Sequence, residues 1–457
     1  MNIKSLLLGS AAALVAVSGA KAADAVVAVV ADPEPVEYVR VCDTYGAGYY
    51  YIPGTETCMR ISGYVRADIK GGDDVYARTR GNTSNVIGAD AVGNPIRGSR
   101  NLHGVNRDTY AWRTRATLRF HTASETELGT LRTFVELRSQ WQGGEEYGDA
   151  KDQTQLRFAY IELGGLRVGM DESIFNHWTG YFGKVINDDV LNPLTYSRTN
   201  VISYTFNAGN GFSAILGVEQ GNSDGDRYGQ HLFRTYTDGI ADYRIGYTEH
   251  GFGQQIDDYA PHVIGGLKFA QGWGSLSAVA AYDARNEEWA GKIRADINVT
   301  DQFSLWVMGG YKSMDDYYAD DNTYGLVGTG YRTSLNNAGI AQLDHLGVYR
   351  QVNSIYGDWG GDWAVWGGGS YKFTPATSFN FQVAYEAART FYATANISHQ
   401  IVPGLTITPE LTYIKWDNNY GYATMYDINN NVTSLGVRDS MKGQSAFQGM
   451  VRLQRSF

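Results

Sequence analysis

The chain has 457 residues, 43% of them hydrophobic and 19% charged, which is too apolar for a disordered polymer. Its 55 Gly, 33 Tyr, 17 Phe and 10 Trp against 9 Pro favour strands and turns, because aromatics suit pleated surfaces and glycine weakens helices. Forty-eight acids against 38 bases give a net charge of −10, which disfavours a nucleic-acid partner, so none is expected, and the mean hydropathy taken alone reads as that of a soluble protein.

Residues 1–22 read as an export signal: Lys4 is the positive start, 6–17 the apolar stretch, and Ala20-Lys21-Ala22 the small-x-small cleavage site. The mature chain then begins at Ala23, and no later apolar run reaches the ~18 residues of a membrane-spanning helix. Residues 23–59 form a periplasmic N-terminal segment: an apolar piece at 25–31, a stiff Asp32-Pro33-Glu34-Pro35 linker, then the only two cysteines. Export exposes Cys42 and Cys58 to an oxidising compartment, so one local disulfide is predicted, worth roughly 3 kcal/mol for such a loop. Two free buried thiols are the alternative.

From residue 60 onward one parity is repeatedly apolar and the other polar. Ile61, Gly63, Val65, Ala67 and Ile69 oppose Arg60, Ser62, Tyr64, Arg66, Asp68 and Lys70. Trp112, Ala116, Leu118 and Phe120 oppose Arg113, Arg115, Thr117, Arg119 and His121; Ile293 and Ile297 oppose Lys292 and Arg294; Phe381 and Val383 oppose Asn380 and Gln382. Strands place successive side chains on opposite faces, so each run has one oily and one wet side. Strands are predicted at 60–70, 110–122, 129–140, 154–162, 165–170, 199–206, 211–219, 261–270, 274–283, 288–299, 302–313, 361–373, 378–387, 389–400, 404–416 and 444–457. Short turns alternate with long polar connections at about 71–109, 171–198, 220–260, 314–361 and 417–443, so one end is trimmed and the other elaborated.

An even number of strands lets the first and last pair and close an all-β, antiparallel barrel over 60–457. Pro409 inside the ladder implies a bulge. A sixteen-stranded barrel is too wide for side chains to fill, so the polar parity faces water inside and the apolar parity faces lipid. A large exported soluble β-protein is the competing reading, with the apolar parity buried in a dry core. In the last strand Phe447, Gly449, Val451, Leu453 and Phe457 share one parity, ending on a terminal phenylalanine.

Such a strand resembles the closing strand of outer-membrane barrels, whose insertion machinery reads it as an assembly signal at Phe457; Arg455 departs from the usual apolar preference. The opening VEYVRVCDTYGAGYYYIPGTETCMRISGYVR, residues 36–66, resembles that of alphaproteobacterial general porins of the rhizobial and brucella type, and the likeness covers essentially the whole chain. The resemblance implies a homotrimer of water-filled sixteen-stranded pores in the outer membrane of a Gram-negative bacterium, surrounded by lipid and lipopolysaccharide. It also implies short periplasmic turns, long extracellular loops and a third loop folded inward as the constriction. The matching segment is 171–198, carrying Asp171, Glu172, Asp188 and Asp189, though it lacks the Pro-Glu-Phe-Gly-Gly tip of enterobacterial relatives. The facing wall would be lined by Arg66, Arg113, Arg115, Arg119, Arg132, Arg138, Arg157, Arg167 and Arg198, which would set a transverse field across the gap. The plainer alternative pairs these arginines with lumen acids such as Asp68 and Glu136.

No nucleophile elbow, P-loop or metalloprotease motif is present, and the eight His are scattered, so neither an enzyme nor a cofactor or metal site is expected. The acids of 220–260 read as a solvated outer surface, and Asp224-Gly225-Asp226 and Asp320-Asp321-Asn322 lack the other ligands of a calcium loop. The start Ala23-Asp24-Ala25 resembles outer-membrane proteins joined to peptidoglycan at their N-terminus. The function implied is passive diffusion of small hydrophilic solutes and ions. A substrate-specific sugar or anion channel, built from eighteen strands, and an anchor or adhesin are the rivals.

Overall fold

A computed structural model describes residues 40–76, 83–89, 95–101, 110–143, 153–180, 183–195, 198–221, 232–235, 244–247, 259–284, 287–313, 326–335, 341–349, 355–357, 359–417, 422–426, 432–438 and 443–457. The signal segment, Ala23, most of the acids of 220–260 and the Asp320 cluster lie outside the described residues. The compact body runs from Cys42 to Phe457.

Its wall comprises β1 (Cys58–Gly72), β2 (Tyr110–Thr126), β3 (Gly129–Gly143), β4 (Gln153–Leu163), β5 (Leu166–Asp171), β6 (Thr199–Gly209), β7 (Phe212–Glu219) and β8 (His262–Gln271). It continues with β9 (Gly274–Asp283), β10 (Glu288–Asn298), β11 (Phe303–Lys312), β12 (Trp363–Thr374), β13 (Thr377–Glu386), β14 (Thr390–Val402), β15 (Leu405–Trp416) and β16 (Gln444–Ser456). Each strand pairs antiparallel with the next, and β16 returns to β1 from Tyr64↔Ser456 to Gly72↔Gln448, closing a sixteen-stranded barrel. All the predicted strands are present, with small differences at their ends.

The seam is finished by the last residue. Gly63 N donates to the Phe457 carbonyl at 2.9 Å and Phe457 N donates to the Gly63 carbonyl at 3.0 Å. A Cβ on Gly63 would lie 2.2 Å from the Thr117 carbonyl oxygen and 3.1 Å from the Phe457 ring, so only glycine fits there.

The parity rule places the apolar residues outside. Leu216, Leu267 and Leu411 are 64%, 56% and 56% exposed, and Ile61, Val65, Ile69, Ile293, Ile297, Val383 and Val451 are likewise open on the outer wall. A water-soluble protein does not leave such a continuous apolar band wet, whereas hydrocarbon solvates it and demands the paired backbone that a closed barrel supplies.

Three details differ from the sequence expectations. Pro409 creates no bulge: β14 and β15 keep one register from Asn396↔Glu410 to His399↔Ile407, and only the pairs between them drop out because proline has no N–H to give. On the elaborated end, 284–287 and 387–389 are short, because Glu287 and Arg389 adopt the left-handed backbone (φ 58° and 63°) that no residue type there advertises. The long connections also carry hairpins of their own: Thr83–Ala89 with Pro95–Asn101, Leu232–Thr235 with Arg244–Tyr247, Leu326–Leu335 with Ala341–Tyr349, and Tyr422–Tyr426 with Val432–Arg438.

Cys42 and Cys58 form the expected disulfide, both nearly fully buried beside Tyr49 and Ala123. The loop it closes is further tied by Cys42 N donating to the Tyr49 carbonyl at 2.9 Å.

Candidate pore site

The cationic wall follows from register. Arg66 on β1 stands directly opposite Arg115 on β2, and Asp68 in the next inward row stands between Arg113 on β2 and Arg452 on β16. Asp68 is buried and takes both neighbours: Arg113 at 2.7 Å and Arg452 at 2.6 Å, with Arg66 Nε 3.7 Å away. Glu136 on β3 is likewise shared, with Arg119 at 2.7 Å and Arg138 at 3.6 Å. Arg115 instead donates to the neutral Gln140 side chain. The Arg157 guanidinium lies over the Phe158 ring at 5.9 Å, and among the described residues it forms no salt bridge. Among the described residues Asp68 and Glu136 thus pair with Arg66, Arg113, Arg119, Arg138 and Arg452, while Arg115 and Arg157 form no salt bridge, so this part of the wall carries excess positive charge. Like charges set directly opposite are destabilising, so the Arg66–Arg115 pair is not explained by strand pairing.

The remaining arginines sit nearer the edges of this wall. Arg167 on β5 is clamped by Glu162 at 2.7 Å and Asp171 at 2.6 Å, Arg132 is half-exposed 3.9 Å from Glu162, and Arg198 Nη1 donates to the Leu156 carbonyl at 2.9 Å. Some of the expected arginines are thus paired with acids, while Arg115 and Arg157 form no salt bridge among the described residues.

The segment 171–198 starts at the end of β5 with one short helical turn, Ile174–His177, capped by Ser173, whose Oγ accepts from Phe175 N at 3.2 Å. Glu219 on β7 accepts from Ser173 Oγ at 2.9 Å and from Ile174 N at 2.6 Å, fixing this turn. Further on, the segment bonds to inward-parity side chains of the later strands. Lys292 Nζ on β10 donates to the Pro193 carbonyl at 3.0 Å, Trp366 Nε1 on β12 to the Leu191 carbonyl at 2.9 Å, and Gln382 on β13 to the Asp188 carbonyl at 3.2 Å. Asn396 on β14 donates to the Lys184 carbonyl at 2.8 Å, and Tyr392 donates its hydroxyl to the Asn187 carbonyl. Glu410 on β15 accepts from Ile186 N and, at 2.7 Å, from Asn187 N, while Asn187 Nδ2 reaches Thr412 at 2.9 Å.

The four expected acids occupy different surroundings. Asp171 pairs with Arg167 and accepts from Glu172 N at 2.7 Å. Glu172 is buried beside it, and burial, reinforced by the Asp171 charge, pushes its carboxyl up to about 8. Burial, then the neighbouring Asp189 and Glu410 carboxylates, holds Asp188 well above the usual carboxylate range. Asp189 is exposed and accepts from the Tyr76 hydroxyl at 2.6 Å.

Several participants were not anticipated. Arg452, Lys292 and Glu410 lie on the inward parity of late strands, and that parity was the available signal. A second segment, 355–357 with 359–362, falls where the sequence predicts the end of a long connection and the start of a strand. It seats Tyr356 and Trp359 in the interior, with Tyr356 OH donating to Glu219 at 3.0 Å and Lys312 Nζ to the Trp359 carbonyl at 2.7 Å.

A closed barrel with an apolar outer wall and a charged inner one defines a membrane channel. The description "Porin subfamily" matches residues 24–450. Over its whole length the chain is 47% identical to the whole of porin Omp2b of Brucella suis, and 45% identical to the whole of porin Omp2b of Brucella abortus (strain 2308). Among solved structures, the outer-membrane channel DcaP of Acinetobacter baumannii superposes with a TM-score of 0.50 at 14% identity, covering 89% of this chain and 99% of that one, a likeness of fold. The chain belongs to the porin family and is an outer-membrane β-barrel channel.

Proposed function

We propose that the chain is a general diffusion porin whose protomers assemble as homotrimers, each with a water-filled channel narrowed by the segment 171–198. The observation that carries this reading is the course of that segment. It leaves β5 and bonds to inward residues as far round as β13, eight strands away in a ring of sixteen and therefore diametrically opposite. A chain crossing between opposite walls divides the interior and leaves its passage on the arginine side. There the exposed Asp189 and the surplus guanidinium groups of β1–β4 face one aqueous gap. Fixed charges of opposite sign across a narrow gap, in a low-dielectric frame, orient dipolar solutes and bias ions by sign. The count of sixteen strands weighs against the eighteen-stranded specific channel. Lipid, lipopolysaccharide, the insertion machinery reading Phe457, and peptidoglycan at Ala23 complete the set of proposed partners; lysozyme-released protein carrying no muropeptide on Ala23 would remove the last.

The test is the reversal potential under a salt gradient across a planar bilayer, for wild type and for Asp188→Asn plus Asp189→Asn. The double variant should move selectivity toward anions. Burial and the neighbouring carboxylates favour the neutral form of Asp188, so Asp189→Asn alone should account for more of the movement than Asp188→Asn alone. An unchanged reversal potential would remove the segment from the constriction.

A further inference from the structure

Inward positions of this barrel are mostly polar, yet one row across β1–β5 is aromatic. Arg60 pairs with His121, His121 with Phe134, Phe134 with Tyr160, and Tyr160 with Gly169, each directly across one strand boundary. Their neighbours Ile61, Ile161 and Val168 are exposed on the outer wall, which puts this row on the inside. Ring centroids are 4.7 Å apart for His121–Phe134, 5.4 Å for Phe134–Tyr160 and 5.8 Å for Phe134–Phe158. The row ends under Arg167, whose guanidinium lies 4.3 Å above the Tyr160 ring. Strands of such a barrel tilt by about 35–45°, so a row perpendicular to them runs obliquely along the pore, here over roughly 20 Å.

Packing alone does not account for it. Phe134, Phe158 and Tyr160 are only partly buried and belong to none of the buried apolar clusters among the described residues. Arg167 covers one face of Tyr160 and Tyr49 meets His121 edge-on, whereas Phe134 and Phe158 remain partly open, and these rings are held side by side. Gly169 leaves the last ring uncrowded: a Cβ there would come within 2.7 Å of Tyr160 Cα and 3.1 Å of its Cβ. Planar charged groups border the row on both sides. Arg119 and Glu136 occupy the row above, and Arg132, Glu162 and Arg167 the row below, in register with it.

We propose that this row is a track that binds pyranose sugars weakly. A pyranose presents an apolar C–H face suited to lie on aromatic rings, and an edge of hydroxyls that both donate and accept. The bordering guanidinium and carboxylate groups supply the matching acceptors and donors at that edge. The proposal rests on the open aqueous pore argued above and goes further: solutes would not all pass alike, because sugars would dwell on one wall.

The probe is maltotriose added to single channels conducting KCl in planar bilayers. Wild type should show a current reduction that saturates, half-complete at roughly 10 mM, the affinity of a few stacking and hydrogen-bonding contacts. Phe134→Ala with Tyr160→Ala should raise that concentration about tenfold without changing the KCl conductance. Phe134→Tyr, which keeps the flat face, should leave it near wild type. Should the double variant fail to insert, Phe134→Leu keeps the bulk, loses the flat face and carries the same test. A wild-type current indifferent to maltotriose, or a block undiminished in these variants, overturns the track while leaving the open pore standing. Absence of any KCl current would instead remove the open-pore reading, and the track with it.

Discussion

The two halves of the barrel interior solve opposite problems. On the β1–β5 side the wall is bare: among the described residues guanidinium groups outnumber acids, and their ion pairs stay within a strand or between neighbouring strands. On the β10–β16 side the wall is covered: buried Lys292, Gln382, Asn396 and Glu410 spend their polar atoms on backbone groups of another segment, around an apolar cluster that includes Trp366, Met308, Tyr392 and Leu191. The same alternating pattern serves both. What differs is whether the inward residue meets water or chain, and that decides whether a charge there acts on solutes or on structure.

The comparison breaks most readily on the covered side. Glu410→Leu removes the acceptor for Ile186 N, Asn187 N and the Asn396 amide, leaving buried donors without a partner. A loss of about 3–5 kcal/mol is expected in denaturant titrations, together with a larger or noisier single-channel conductance as 183–195 is released. An unchanged conductance would mean that the apolar cluster alone holds the segment.

The next effect lies where the halves meet. Glu172 ionises at about 8 in the fold, against an ordinary value of 4.5. Between those values the unfolded chain has lost the proton and the folded one keeps it, so stability falls as pH rises through that window and levels off above it. Thermal unfolding followed from pH 5 to 9 should show this decline, by at most a few kcal/mol, and Glu172→Gln should flatten it. A decline of equal size in the variant would assign it elsewhere.

The smallest stability effect belongs to the bare side. Arg115→Ala removes a charge that bonds Gln140 and Tyr64 and stands opposite the like-charged Arg66, so stability should change by no more than about 1 kcal/mol. Its reversal potential should nonetheless shift toward cations. A large loss of stability with no shift in selectivity would give the bare wall the role of the covered one.

The strands were legible because a period of two survives in every one of them, and the disulfide because only two cysteines exist. Individual bonds at the site were not. Glu410 and Ile186 are 224 residues apart, and nothing local in either stretch names the other. Arg452 and Arg66 share an acid only because the last strand returns to the first, so the early strands by themselves under-counted the wall. The hairpins within long connections were not legible because those stretches, unlike the wall strands, show no sustained alternation of apolar and polar residues.

The seam between Gly63 and Phe457 bears on when the protein can fold. Two of its hydrogen bonds use the backbone of Phe457, so the ring is incomplete until that residue has been made and exported. The contact joins positions almost 400 residues apart, the slowest kind of closure for a folding polymer, and it must come last. Until then β1 and β16 are unpaired edges exposed to their neighbours, so every molecule passes through an aggregation-prone interval between export and insertion. Loss of the Gly63–Phe457 bonds would lengthen that interval.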